Sequence, residues 1–351
     1  MKTKKIKYLL HLLNIYISYL TRKQKVNYLP VKLWIEVSSK CNLKCRLCAN
    51  KDMPLSEKGN MDFNLYKKII NEAKDYVYEI NLFHRGEPLM HPQIIEMIKY
   101  AKQNNIKTVI HTNASLLNKD LSEKLIKSGL NKISFSFDGY TKTTYEKNRT
   151  GSKFEDVLNN IIDFLRIKKE LNSKLPYTII QVMEYDEDMS HLDFKIQKRK
   201  FTDNFNNLPL NKLIIRTPHN WGGSIDIKNI YSETYSGKKL YSKKNKTNMK
   251  KAKYSACTFP WYSLVILYNG KVLPCPQDFY GTIYLGDANN ELLKVIFNND
   301  KIQKLRERFK NKNIKNINDE IVCNSCDRCL RQTIFGVPKE YLGKFLKDNL
   351  N

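Results

Sequence analysis

The sequence predicts an α/β fold: a partial (β/α)6 TIM-like barrel followed by a small C-terminal α+β domain. Three observations predict it. From residue 31, short apolar runs rich in β-branched and aromatic residues alternate with longer amphipathic segments, and the alternation repeats six times. After residue 253 the pattern changes to a hairpin signal, one helix-like stretch and a tail dense in cysteine. The 351 residues and 41% hydrophobic content are enough for one large domain or two modest ones.

In chain order, residues 31–37, 78–83, 106–112, 132–138, 177–183 and 212–217 read as strands. Residues 62–75, 92–104, 118–127, 154–171 and, less sharply, 189–200 read as the helices between them. Strand–helix repetition of this kind implies a parallel sheet with right-handed crossovers. Parallel barrels place their sites at the carboxyl ends of the strands, so the loops there are the ones to inspect. Residues 224–253 are rich in Lys, Ser, Tyr and Asn with little periodicity and read as a mobile linker. Residues 264–268 and 271–273, joined through Asn269-Gly270, read as a hairpin, and residues 291–310 as one helix. The organisation is therefore 1–30 as an N-terminal basic segment, 31–223 as the core, 224–253 as linker and 254–351 as a small second domain.

The formal net charge of +26 comes mostly from Lys in a chain also rich in Asn and Ile, a composition that resembles genomic AT bias. Sequence-specific nucleic-acid readers concentrate Arg and interleave aromatics. No such patch is present, so the charge reads as a solvated basic face and not as a nucleic-acid site. Residues 1–7 are basic and 8–20 mostly apolar, but His11, Asn14 and Ser18 interrupt the run and no small-residue cleavage site follows. The run is also too short to span a bilayer. Leu9, Leu10, Leu12, Leu13, Ile17 and Leu20 fit helical spacing, which predicts an amphipathic helix packed on the domain. The alternative is a helix resting on an anionic membrane surface. The expected location is cytoplasmic, with peripheral membrane contact as the variant.

Chemistry concentrates first in Cys41-Asn-Leu-Lys-Cys45-Arg-Leu-Cys48, directly after the first strand. Three thiolates on one tight loop can bind three irons of a cubane and leave the fourth iron open. A closed zinc site would want a fourth ligand close by, and none lies within easy loop reach. Phe83-His84-Arg85-Gly86-Glu87-Pro88-Leu89 follows the second strand, where Gly permits close backbone approach and Glu can accept from an amino group. In the fourth strand, Ser134, Ser136 and Asp138 share one face and Phe135 and Phe137 the other. A polar face turned into a barrel needs a ligand or water to satisfy it. His84 and His111 could be acid–base groups, although strand-end histidines with satisfied hydrogen bonds are the commoner case. Further on, Cys257 and Cys275 bracket the hairpin, and Cys323-Asn-Ser-Cys326-Asp-Arg-Cys329 follows downstream. Two such pairs brought together suit zinc or [4Fe–4S].

The Cys-x3-Cys-x2-Cys motif after the first strand resembles the signature of the radical S-adenosylmethionine (SAM) superfamily, over roughly residues 33–217. The resemblance implies that Cys41, Cys45 and Cys48 hold a [4Fe–4S] cluster whose open iron chelates SAM. Reductive cleavage then yields a 5′-deoxyadenosyl radical that abstracts a substrate hydrogen. Leu47 stands where the family often has an aromatic residue, which puts that adenine contact in doubt. By the same resemblance Gly86 and Glu87 match a Gly-Gly-Glu element that binds the SAM amino group, with Arg85 replacing its first Gly. Ser136, Asp138, Arg149 and Asn113 are the further SAM-pocket candidates. The second cysteine set resembles the SPASM/twitch extension, which makes the C-terminal unit an iron–sulfur domain. Full SPASM domains use seven cysteines for two clusters. Five are present here, which implies one auxiliary [4Fe–4S] cluster, held by Cys257, Cys275, Cys323 and Cys326 and leaving Cys329 over.

The function expected from this likeness is oxidation or epimerisation of a small molecule or carbohydrate, fed by a reductant such as flavodoxin or ferredoxin. A peptide- or protein-modifying maturase is the alternative. A non-catalytic iron–sulfur electron-transfer protein is a third reading, and the SAM-pocket residues beyond the cysteines argue against it.

Overall fold

The computed structural model describes residues 2–184, 190–216, 221–225, 256–310 and 323. One nine-stranded sheet runs through it in the order β6-β5-β4-β3-β2-β1-β7-β8-β9. The strands are β1 (Lys32–Ile35), β2 (Glu79–Asn81), β3 (Lys107–Thr112), β4 (Lys132–Asp138), β5 (Tyr177–Met183), β6 (Lys212–Arg216), β7 (Ser263–Ile266), β8 (Lys271–Leu273) and β9 (Gly286–Asp287). β1 to β6 are parallel neighbours in chain order, as six strand–helix units require. The sheet does not close on itself, so the barrel is partial.

The helices follow the periodic stretches. They are α1 (Lys2–Leu20), α2 (Phe63–Ala73), α3 (Ile94–Gln103), α4 (Lys119–Lys127), α5 (Lys142–Asn148), α6 (Phe154–Glu170), α7 (His191–Asp203), α8 (Phe259–Tyr262), α9 (Leu293–Ile296) and α10 (Asp300–Lys310). Their starts carry capping chemistry: Asp62 accepts from the Asn64 and Leu65 N–H groups, and Asn118 from Leu121. The alternation in β4 does what its pattern demands. Phe135 packs on Phe164 of α6 (ring centroids 5.3 Å), and Phe137 on Phe201 of α7 (4.8 Å). Ser134, Ser136 and Asp138 therefore face away from the helices, into the concave side.

Three sequence expectations need correction. The single helix over 291–310 is two, α9 and α10, with Asn298 and Asn299 at the break. Asn299 is spent as a helix-start acceptor for Ile302 and as a donor to the Leu285 carbonyl, which a continuous helix would forbid. The turn of the β7–β8 hairpin is not a two-residue Asn-Gly loop. The loop is the three residues Tyr268 to Gly270: the Gly270 N–H closes a turn on the Leu267 carbonyl, and Gly270, at φ +92°, takes the left-handed position before Lys271. The short polar α5 had no sequence counterpart.

The hairpin also does not form a sheet of its own. β7 lies parallel to β1, with Lys32 opposite Ser263, so the C-terminal segment extends the barrel sheet beyond its first strand. That join places the hairpin beside the loop that follows β1. The linker expected over 224–253 lies, apart from residues 224 and 225, outside the described residues, as do Cys326 and Cys329.

α1 is helical as expected, but its faces differ from the expected stripe. Tyr8, Leu12, Ile15, Ser18 and Tyr19 are buried, whereas Leu10, Leu13, Ile17 and Leu20 are exposed. The helix packs at the amino-terminal end of the strands, with Tyr8 against Tyr78 and Tyr19 against Trp261. No helix among the described residues is long and apolar enough to cross a membrane.

Candidate functional site

The site is built on the loops that leave β1, β2, β3 and β4 at their carboxyl ends. The loop after β1 carries Cys41, Cys45 and Cys48, none of them in a disulfide. Backbone bonds pin it to the end of α5 and the loop that follows: Arg46 N–H to the Asn148 carbonyl and Lys44 N–H to that of Thr150, both 2.9 Å. Side chains fasten its other flank. Asn42 donates to Ser115 at 2.8 Å and accepts from Asn113 at 3.0 Å, while Asn50 donates to the carbonyls of Ser39 and Arg85. Asn42, Asn50 and Ser115 were not singled out in the sequence. Their roles arise only when separate loops meet.

Burial pushes the Cys48 thiol up to about 12 and Cys41 to about 11, with neighbouring cysteines adding to both; Cys45 is also raised, chiefly by burial. The three thiols thus sit close enough to feel one another. Among the described residues no three His, Cys, Asp or Glu side chains converge tightly enough for one metal ion. A cubane does not require that, because each cysteine binds a different iron. Three free, mutually sensed thiols on one fixed loop therefore fit such a cluster.

Gly86 and Glu87 lie against this loop. A Cβ on Gly86 would come within 2.4 Å of the Ser38 carbonyl oxygen and 2.5 Å of that of Lys40, so only glycine fits. The Glu87 N–H bonds the Lys40 carbonyl at 2.8 Å. The Glu87 carboxylate is 3% exposed and already accepts three hydrogen bonds. Oε1 takes the Thr112 hydroxyl (2.7 Å) and the Leu89 N–H (3.1 Å), and Oε2 takes the Asn113 N–H (2.7 Å). A carboxylate has about four acceptor positions, so one on Oε2 stays open for an amino group. Burial outweighs those three donors and lifts Glu87 to about 7.

Across the site, Arg149 and Asp138 form a two-armed pair at 2.8 and 3.3 Å. Desolvation opposes the charge on Arg149, but Asp138 and Cys45 outweigh it and hold Arg149 protonated. Ser136 is half-buried on the same face of β4 as Asp138. The sequence-predicted Gly86, Glu87, Asn113, Ser136, Asp138 and Arg149 are thus brought to the carboxyl end where the cysteine loop sits. Below them, Gln181 donates to Ser134 (2.6 Å), approaches His111 (3.3 Å) and accepts from Arg216 (2.8 Å). His111 stacks on Phe83 at 3.9 Å, and burial holds it near pKa 3. Burial likewise holds His84 at about 4, and its Nε2 has no partner. Burial thus favours the neutral imidazole at both positions, which leaves each ring one N–H donor and one acceptor nitrogen.

The second cysteine set is in part visible. Cys275 is buried in the core, and Cys257 and Cys323 pack against it. Beside Cys48, the apolar cluster of Ala49, Met53 and Phe279 is covered by Trp221 and Ile225, which shields that flank of the loop from water.

A concave parallel sheet thus carries three free cysteines on its first loop, with a buried carboxylate and a guanidinium at the same end, a donor set that suits an iron–sulfur cluster and a ligand bearing both charges. Family comparison supplies the rest. Residues 35–192 match the radical SAM superfamily, and residues 257–330 match the SPASM iron–sulfur cluster-binding domain. The chain belongs to the SPASM-containing radical SAM enzymes. It uses a [4Fe–4S] cluster with SAM and an auxiliary iron–sulfur cluster. Cys41, Cys45 and Cys48 would hold the first cluster, which when bound and reduced would supply the electron for SAM cleavage.

Among its relatives is the tungsten-containing aldehyde ferredoxin oxidoreductase cofactor-modifying protein of Pyrococcus furiosus. The two are 26% identical over 255 residues, 69% of this chain and 70% of the relative. The PqqA peptide cyclase of Rhodopseudomonas palustris is 28% identical over 44% of this chain and 40% of its own. This chain likewise spans less than half the length of the Methanosarcina barkeri Fe-coproporphyrin III synthase that it matches. In fold it is similar to BtrN in complex with AdoMet and 2-DOIA (TM-score 0.54, 19% identity, 86% of this chain and 94% of that one). It is also similar to Streptococcus suis SuiB bound to precursor peptide SuiA (TM-score 0.59, 17% identity, 83% and 70%).

Proposed function

We propose that this enzyme oxidises or epimerises a small hydroxyl-bearing molecule or carbohydrate, by hydrogen abstraction with a 5′-deoxyadenosyl radical. In this reading Cys41, Cys45 and Cys48 ligate the SAM-cleaving cluster, and Cys257, Cys275, Cys323 and Cys326 the auxiliary one. Glu87 takes the SAM amino group at its open acceptor position. Arg149, held by Asp138, faces the SAM carboxylate or ribose, with Ser136 and Asn113 completing the pocket. Residues 31–223 act as the SAM core and 254–351 as the auxiliary domain, and a flavodoxin or ferredoxin supplies electrons.

The observation that carries the substrate class is the polar row Ser134, Gln181, His111 and Arg216 directly below that pocket. Ser134 is fully buried and fixes Gln181, while the half-buried His111 and Gln181 and the exposed Arg216 offer polar groups to hydroxyls and give little purchase to an apolar chain. The experiment is a deuterium transfer assay. Anaerobic, reduced protein is given SAM and a panel of polyols and sugars deuterated at carbinol carbons. Deuterium appearing in 5′-deoxyadenosine identifies the substrate and supports the reading. A panel that only yields undeuterated 5′-deoxyadenosine counts against it.

A peptide substrate is the second reading, and one feature favours it. Among the described residues β6 is the last strand of the sheet, with Lys212 and Ile215 exposed, an edge along which an extended peptide can add. The peptide-acting relatives lean the same way.

A further inference from the structure

We propose that α1 docks this enzyme onto an anionic phospholipid surface through its outer face, with the SAM site turned away from the membrane. Ile6, Leu10, Leu13, Ile17 and Leu20 recur at intervals of four and three and form one stripe along the helix. All five are between 45 and 61% exposed, while the opposite face of Tyr8, Leu12, Ile15 and Tyr19 is buried against the protein. The helix thus has two apolar faces, and among the described residues only one of them is covered. Five large aliphatic side chains in one line exceed the scatter of single exposed apolar residues that a surface normally carries.

The charge around the stripe selects the occupant. Residues 1–35 contain no Asp or Glu; the first acidic residue is Glu36. Lysines stand at positions 2, 4, 5 and 7 before the stripe, and Arg22, Lys23 and Lys25 after it. A second copy pairing stripe to stripe would bring basic ends together in either orientation, and like charges would oppose it. An anionic bilayer complements both ends at once, while the apolar stripe enters the headgroup boundary. Lys7 and Asn14 also line a shallow groove of about 460 Å3 beside Leu10, where a headgroup phosphate can meet the lysine.

The covered face fixes the orientation. Tyr8 packs on Tyr78, just before β2, so α1 lies at the amino-terminal end of the strands. The cysteine loop lies at the other end, so docking leaves the site open to the aqueous phase. This inference concerns α1 alone and does not rest on the substrate proposed above.

The test is co-sedimentation of full-length, anaerobically reconstituted protein with vesicles of phosphatidylcholine alone and with a phosphatidylglycerol fraction. Binding to the anionic vesicles, weakened by salt and weak or absent on neutral ones, is expected. Leu13→Glu with Ile17→Glu should lower that partition by about a hundredfold, two large apolar groups being withheld from the bilayer. Iron content and 5′-deoxyadenosine formation should be unchanged, which also excludes misfolding. No vesicle binding, or binding that the double variant keeps, overturns the proposal. So does a wild-type dimer in size-exclusion chromatography that the double variant converts to monomer, since a second copy would then own the stripe.

Discussion

Arg85 grips Glu36 with two arms: its Nε lies 2.6 Å from one carboxylate oxygen and its Nη2 2.8 Å from the other, with both side chains almost fully buried. The pair explains why this chain has Arg where the Gly-Gly-Glu element has its first Gly. Glu36 directly follows β1, Arg85 precedes Gly86, and both reach the C-terminal hairpin segment. The Tyr268 N–H donates to Glu36, and Arg85 donates to the Phe279 carbonyl. One ion pair thus ties the SAM loop, the cysteine strand and the auxiliary segment together.

Removing one partner leaves the other's buried charge uncompensated. Arg85→Ala should therefore cost about 3–5 kcal/mol of stability. The double change Arg85→Met with Glu36→Gln should cost less than Arg85→Ala alone, because no naked charge remains and the Gln oxygen still accepts from Tyr268. Anaerobic denaturant titration of the three proteins checks the order. Equal losses for the single and double variants would show that the pair is held for shape and not for charge compensation.

Gly86→Ala tests the contact between the two loops. Its methyl group would need space already filled by the carbonyls of Ser38 and Lys40, which are backbone atoms and cannot swing aside. The lead into Cys41 must shift instead. We expect reduced iron at the first cluster and at least a tenfold loss of 5′-deoxyadenosine formation, about 1.4 kcal/mol or more in barrier terms. Far-ultraviolet circular dichroism should be close to wild type. Full iron and full turnover would mean the loop tolerates displacement.

How much of this was legible in the sequence depends on the range over which each feature is encoded. β4 and β5 fall where the alternation put them, because a Ser/Phe or Ile/Gln period is local and strong. The cysteine loop, Gly86 and Glu87 were legible as motifs. Glu36 was not, although a carboxylate closing an apolar strand is a signal in retrospect. The β1–β7 pairing joins Lys32 to Ser263, and nothing local in either strand announces it. α5 is too short and polar for periodicity to mark. In α1 the apolar residues were plain, but two apolar faces share the helix, and spacing alone does not say which one the protein covers.

Iron counting tests the two-cluster assignment. Reconstituted protein should hold about eight Fe and eight sulfide. Replacing Cys41, Cys45 and Cys48 by Ala should leave about four, and Cys326→Ala alone should also leave about four. Cys329→Ala should keep all eight. A wild-type count that stays near four would remove the auxiliary cluster from the ligand assignment made for Cys257, Cys275, Cys323 and Cys326.

Glu87 makes SAM binding depend on pH. Burial holds its pKa at about 7 in the free protein, well above an ordinary glutamate. To accept from the SAM amino group at its remaining position, Glu87 must be ionised. Binding therefore favours the deprotonated form and lowers the pKa. The sign follows: below about 7 binding must expel a proton and affinity falls as pH falls, while above it that dependence flattens. Glu87→Gln should weaken SAM by roughly 1.5–3 kcal/mol at pH 8 through loss of a charge-assisted hydrogen bond. It should also flatten the slope between pH 6 and about 8, because the amide does not titrate in that range. Anaerobic calorimetry across this range reads both effects. Unchanged affinity in the variant would place the amino group elsewhere. A slope that survives the substitution would assign the titration to another group.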